Sequence, residues 1–118
     1  MKLDRKDPPR RFGAGGRTMA DCGAIALDPG EQVTFTTPDG GECDFARTAW
    51  GFYATPSLND RLPRFGLRGA LVRNADAKQF VVLVENGHED EFGAYLDEQQ
   101  MTVVAWLDDA VSESGQAG

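Results

Sequence analysis

From Val33 onward, apolar and polar residues alternate with a period of two, and turn residues close each alternating run. Val33, Phe35 and Thr37 point one way while Thr34 and Thr36 point the other, which predicts a half-buried strand. Pro38-Asp39-Gly40-Gly41 then reverses the chain, and the returning strand sets Cys43 and Phe45 inward with Glu42 and Asp44 outward. Upstream, residues 23–27 (GAIAL) make a short strand that ends at the tight turn Asp28-Pro29-Gly30. Trp50 to Ala54 continues as an extended aromatic segment. Thr55 before Pro56 has the form of a helix cap with proline at the first helical position, so a short helix is expected through Leu62, with Pro63 ending it.

Leu67 to Arg73 and Gln79 to Val84 predict a second hairpin around Asn74-Ala75-Asp76-Ala77. The run FVVLV from Phe80 to Val84 is apolar on both faces, which points to the central strand of a sheet. Asn86 followed by Glu89 has the spacing of a capping box, and Phe92, Tyr95 and Leu96 fall at i, i+3 and i+4 of one helical stripe. Residues 101–107 (MTVVAWL) close the pattern as a strand. The predicted order is β-β-β-β, a short helix, then β-β-α-β: an α+β domain, mainly antiparallel, with one main helix packed on a face.

The ends read differently. Residues 1–20 hold Pro8, Pro9, three glycines and six basic residues with few apolar ones, a composition that predicts a disordered arm. Met19-Ala20-Asp21 has the form of a translation start, so residues 1–18 are expected to add nothing to stability. The tail over 112–118 is small and polar and predicts disorder too, leaving a single domain over 21–111.

Charge adds what periodicity omits. The chain is acidic, with a net charge of −7, yet Arg47 to Lys78 carries six of the twelve Lys and Arg residues against two acids. Gln79 to Gly118 carries nine acids and no base. Sorting of this kind marks a surface with an electrostatic task. A pI near 4.6 disfavours nucleic acid as a general partner, and no apolar run is long enough to span a membrane. Cys22, Cys43 and the single His fit no metal-ligand spacing, so neither metal nor cofactor is expected. The twin arginines Arg10 and Arg11 lack a following apolar region, which points to the cytoplasm and to free thiols.

Within the basic segment Arg47, Trp50, Tyr53, Asn59, Arg61 and Arg64 are the candidate binding residues. Aromatic faces suit stacking, and guanidinium forks suit phosphate or carboxylate. The competing reading places Trp50 and Phe52 together on one strand face, filling the core, with Tyr53 opposite. His88-Glu89-Asp90-Glu91 has the residue types of a metal or acid–base cluster, but carboxylates in a first helical turn are what the helix dipole favours.

The run Trp50-Gly51-Phe52-Tyr53-Ala54-Thr55-Pro56-Ser57-Leu58-Asn59, then Arg61-Leu62, resembles a segment of small uncharacterised bacterial proteins. Phe65 to Asn74, Val82 to Glu85 and Glu91 to Leu96 are similar to their later segments, so the resemblance covers about residues 22–108. It implies these boundaries and no particular activity. The expected function is a non-catalytic cytoplasmic binding or accessory protein for an anionic small molecule, of sugar phosphate or nucleotide type, or for an acidic protein partner. An enzyme acting on such a ligand through Tyr53, Asp60 or His88, and an RNA-binding module, are the alternatives. No catalytic residue is assigned.

Overall fold

The computed structural model describes residues 1–14 and 17–109. The strands are β1 Lys2–Ala14, β2 Arg17–Ala26, β3 Gln32–Thr36, β4 Glu42–Thr48 and β5 Gly51–Tyr53, followed by helix α1 Arg61–Arg64. Strands β6 Leu67–Arg73 and β7 Gln79–Glu85, helix α2 Glu89–Gln99 and strand β8 Thr102–Trp106 complete the order. This is a small α+β fold with mainly antiparallel pairing and helices on strands; from β2 onward its order is the expected one. The tail expected over 112–118 lies outside the described residues.

The chain divides into two compact units, and the single domain expected over 21–111 draws on both. One holds Met1–Gln32 with Ala46–Tyr53, and the other Val33–Phe45 with the chain from Ala54 onward. Strand β4 passes from one to the other, so a cut made on sequence periodicity could not have found the boundary.

In the first unit, the arm expected to be disordered is a hairpin. β1 pairs antiparallel with β2 from Lys2↔Ala26 to Ala14↔Arg17, with a break in register between Arg5 and Arg10. Pro8 and Pro9 fall in that break, where their missing N–H groups remove ladder donors. No described residue of β1 is buried. The hairpin instead joins its backbone ladder to ion pairs, with Asp21 between Lys6 (2.8 Å) and Arg10 (3.6 Å). Hydrophobic patterning is blind to such an element. The Met1 ammonium meets Glu31 at 2.8 Å, and the Glu31 carbonyl accepts the Arg47 N–H at 2.8 Å. The second half of β4 pairs with β5 as Ala46↔Tyr53, Arg47↔Phe52 and Thr48↔Gly51.

The second unit holds the core. Cys43, Leu62 and Leu67 cluster with Leu58 and Leu83, while Ala70, Val72 and Val84 are buried along the sheet. The strand order is β7-β6-β8, so the central strand is β6 and the apolar run Phe80–Val84 lies on an edge, contrary to expectation. β6 takes the centre although it carries Arg68. That guanidinium forms a two-pronged bond to Asp108 (2.8 and 2.9 Å) and stacks 4.2 Å from the Trp106 ring centre.

The short helix also differs from expectation. Ser57, not Thr55, accepts the Arg61 N–H through its Oγ at 2.8 Å, and Pro63 sits inside α1 instead of ending it. At the third position of a helix proline removes an N–H that has no intrahelical partner, so the turn tolerates it. α2 begins with Glu89, Asp90 and Glu91 in its first turn, as the dipole favours, and Phe92 meets Trp106 edge-on at 5.9 Å. No described helix is long and apolar enough to cross a membrane.

Candidate functional site

The basic segment splits between the units. Arg47, Trp50 and Tyr53 belong to the first, and Asn59, Arg61 and Arg64 to the second.

In the first unit Thr48 to Gly51 turns the chain from β4 into β5, and Trp50 falls in that turn rather than in the strand. Strand alternation therefore does not separate it from Tyr53. The two rings meet edge to face at 5.6 Å. The core-filling reading fails here: Trp50 is 71% exposed, Tyr53 62% and Phe52 51%. Arg47 lies beside them, its guanidinium 5.4 Å from the Phe52 ring centre. It donates to the carbonyl oxygens of Thr48 and Gly51, the latter at 3.1 Å, and no carboxylate is among its described partners. These bonds fix the guanidinium against the turn, and no described carboxylate neutralises it.

In the second unit Arg61 and Arg64 each have a carboxylate. Arg61 reaches Asp44 at 3.1 Å and covers the Phe65 ring at 4.5 Å. Arg64 pairs with Asp60 at 3.0 Å, one helical turn back. Thr34 donates to Asp44 at 2.7 Å; this bond and then Arg61 hold the Asp44 carboxyl below the usual aspartate range. Asn59 is exposed in the turn before α1. Arginines so paired have less charge to offer an anionic ligand.

The structure also joins His88 and Glu91, singled out in the sequence, to Asp39 and Glu85, which no local pattern linked to them. His88 caps α2, and its Nε2 lies 3.0 Å from Asp39 of the β3–β4 turn and 3.7 Å from Glu85 at the end of β7. Its Nδ1 lies 3.1 Å from Glu91. Thr37 donates its hydroxyl to Glu85, and the Gly41 N–H donates to Thr37 Oγ1 at 2.8 Å. One donor atom each from Asp39, Glu85 and His88 lies within 4.8 Å of the others, a set of nitrogen and oxygen ligands able to hold a divalent ion. Asp39 is 49 residues from His88, and only the meeting of a hairpin turn with a strand end brings them together. Two clefts flank the group: one of about 350 Å³ along β7 and α2, and one of about 210 Å³ lined by Asp39, Arg64, Glu85 and Asn86 among others.

Hydrogen bonding to Asp39, then to Glu91, raises the His88 pKa above its ordinary value. The clasp therefore contributes its full stability below the unfolded-state pKa, near ~6.5, and loses it as pH rises through the folded value. Proton NMR of the His88 ring will show a titration above that of an unstructured histidine, and Asp39→Asn will move it down. A His88 that titrates like a free peptide, unaffected by Asp39→Asn, would mean the clasp does not form in solution.

The candidate acid–base residues each have partners of their own. Tyr53 lies in the first unit against Trp50, and Asp60 and His88 in the second, each with its own partners. Fold and site together describe a small α+β protein with an exposed aromatic turn and with Arg61 and Arg64 paired to carboxylates. Comparison with family models, curated proteins and solved structures returned no match.

Proposed function

We propose that this chain is a non-catalytic cytoplasmic binding protein whose contact surface is the turn of Arg47, Trp50, Phe52 and Tyr53, and whose partner is an acidic protein segment. The observation that carries this reading is the exposure of three aromatic side chains on one turn beside a guanidinium without a described carboxylate partner. Each large apolar side chain left in water forgoes roughly 1.5–3 kcal/mol of burial. Trp, Tyr and Arg are also the types that dominate binding energy at protein interfaces. Among the ligands the composition admits, a protein segment is favoured over a sugar phosphate or nucleotide, because Arg61 and Arg64 are committed to Asp44 and Asp60. Both cysteines are free thiols, which fits a reducing compartment.

The chain has two tryptophans, so Trp106→Phe leaves Trp50 as the reporter. Titration with a synthetic peptide alternating Glu and Leu will shift Trp50 emission to the blue. Trp50→Ala and Tyr53→Ala, read by calorimetry, will weaken binding by a factor of about 30 or more, the ≥2 kcal/mol of a hot spot. Arg47→Gln will flatten its salt dependence, and the thermal midpoint will not move. Emission that stays fixed through the titration, with all variants binding alike, would refute the placement.

A further inference from the structure

The sheet of the second unit ends at β7, which pairs with β6 on one side through seven consecutive residues without a register shift. Edge strands are ordinarily blunted by charge, proline or a bulge, because their free N–H and C=O groups invite pairing. Phe80 to Val84 carries none of these; Phe80 is 42% exposed and Val81 62%. Beside this edge runs the cleft of about 350 Å³. Its apolar surface includes Val82, Val84, Phe92 and Tyr95, and Glu85 and Glu91 stand among its polar residues. α2 adds charge of one sign only: Glu89, Asp90, Glu91, Asp97 and Glu98, with no base. An occupant must be extended enough to use the free backbone groups, apolar at alternate positions, and positively charged.

We infer that the edge of β7 and the cleft beside it receive a basic, extended peptide segment of a partner, added to the sheet as a further strand. In strand addition, backbone bonds supply affinity and the alternate side chains supply specificity. Successive side chains of an added strand point to opposite faces. Those on the α2 side cover Val82 and Val84 against Phe92 and Tyr95, and Lys or Arg among them meets the acidic first turn of α2, where Glu91 is shared with His88. A second copy of this chain fits less well. Pairing FVVLV with itself would bring together two segments of nine acids each and no Lys or Arg, in a chain of net charge −7. This surface is separate from the aromatic turn of the first unit and selects the opposite charge.

The test uses the full chain and the heptapeptide Lys-Thr-Val-Thr-Val-Thr-Lys as probe, which sets its valines and lysines on one face, followed by amide NMR. Shifts are expected in residues 79–85 and along the cleft-facing side of α2, with weak affinity that falls as salt rises. A peptide N-methylated at alternate residues, unable to complete the ladder, will bind at least tenfold more weakly. So will the original peptide to Val81→Lys, which installs an edge guard at an exposed position and leaves the fold unchanged. The same peptide with Glu in place of both Lys residues will not bind. Equal binding of the N-methylated peptide would overturn strand addition, and so would shifts confined to residues 46–53 or no shifts at all. Concentration-dependent shifts in 79–85 without peptide, with a doubled mass in sedimentation, would assign the edge to a second copy and overturn the inference.

Discussion

Leu62→Ala will lower the unfolding free energy of the second unit by ~2–5 kcal/mol, the range for a fully buried leucine. Leu62 is 0% exposed and packs with Cys43 and Leu67, with Leu58 and Leu83 against the same cluster. The core is small, so one leucine is a large part of it. The vacated space will not close readily, because the turn that carries Leu62 is pinned by hydrogen bonds. The Leu62 N–H donates to the Ser57 carbonyl at 3.0 Å, and Phe65 donates back to Arg61 at 3.1 Å. Leu62→Met keeps most of the volume and should cost less than about 1.5 kcal/mol. Urea unfolding followed by Trp106 fluorescence in a Trp50→Phe background reports this unit alone. A loss below about 1 kcal/mol for Leu62→Ala, no more than an average substitution, would show that Leu62 is not packed as described.

The second large effect falls on the first unit. Gly23→Ala will open the β1–β2 hairpin around its middle. Gly23 has φ +141°, where a side chain is strained, and an added Cβ would lie 2.2 Å from the Asp4 carbonyl oxygen and 2.9 Å from the Arg5 Cα. Both contacts are backbone, so no side-chain rotation relieves them. Relief requires β1 to move away from β2, and the Arg5↔Gly23 and Asp4↔Ala24 pairings go with it. Amide exchange in residues 2–5 and 23–26 will accelerate by at least tenfold, while exchange in β6 stays as in the parent. Unchanged exchange in β1 would return residues 1–20 to the disordered arm that composition suggests.

The strands and turns of the second unit were legible in the sequence because each is a local matter. Leu67–Arg73 has the boundaries its pattern predicts, and β7 extends one residue beyond them. Asn74 closes the turn between them by accepting the N–H groups of Asp76 (3.0 Å) and Lys78 (2.9 Å) on its side-chain oxygen, a role its residue type announces. Phe92, Tyr95 and Leu96 are half-buried on one stripe of α2, as their spacing implies. Of the candidate site, the sequence marked the aromatic run and its arginines, but not whether the rings were in the core or in water.

Tertiary structure decided the rest, wherever the answer depends on residues far apart. Phe80–Val84 has the apolarity of a central strand, but position in a sheet is set by which strand accepts a second neighbour. β6 accepts β8 as its second neighbour from Ala70↔Trp106 to Arg73↔Thr102, and Gly69 leaves room on its face for Leu58 and Leu107, which a Cβ there would meet at 3.2 and 3.3 Å. Arg68 is tolerated there through Asp108, forty residues away. Chain passage also decided the fate of the basic segment, since Asp44 and Asp60 neutralise Arg61 and Arg64 while Arg47 is turned toward carbonyl oxygens. Local pattern specifies which residues can form a strand, a turn or a charge; only the folded chain specifies which charges are already satisfied and which edges remain open.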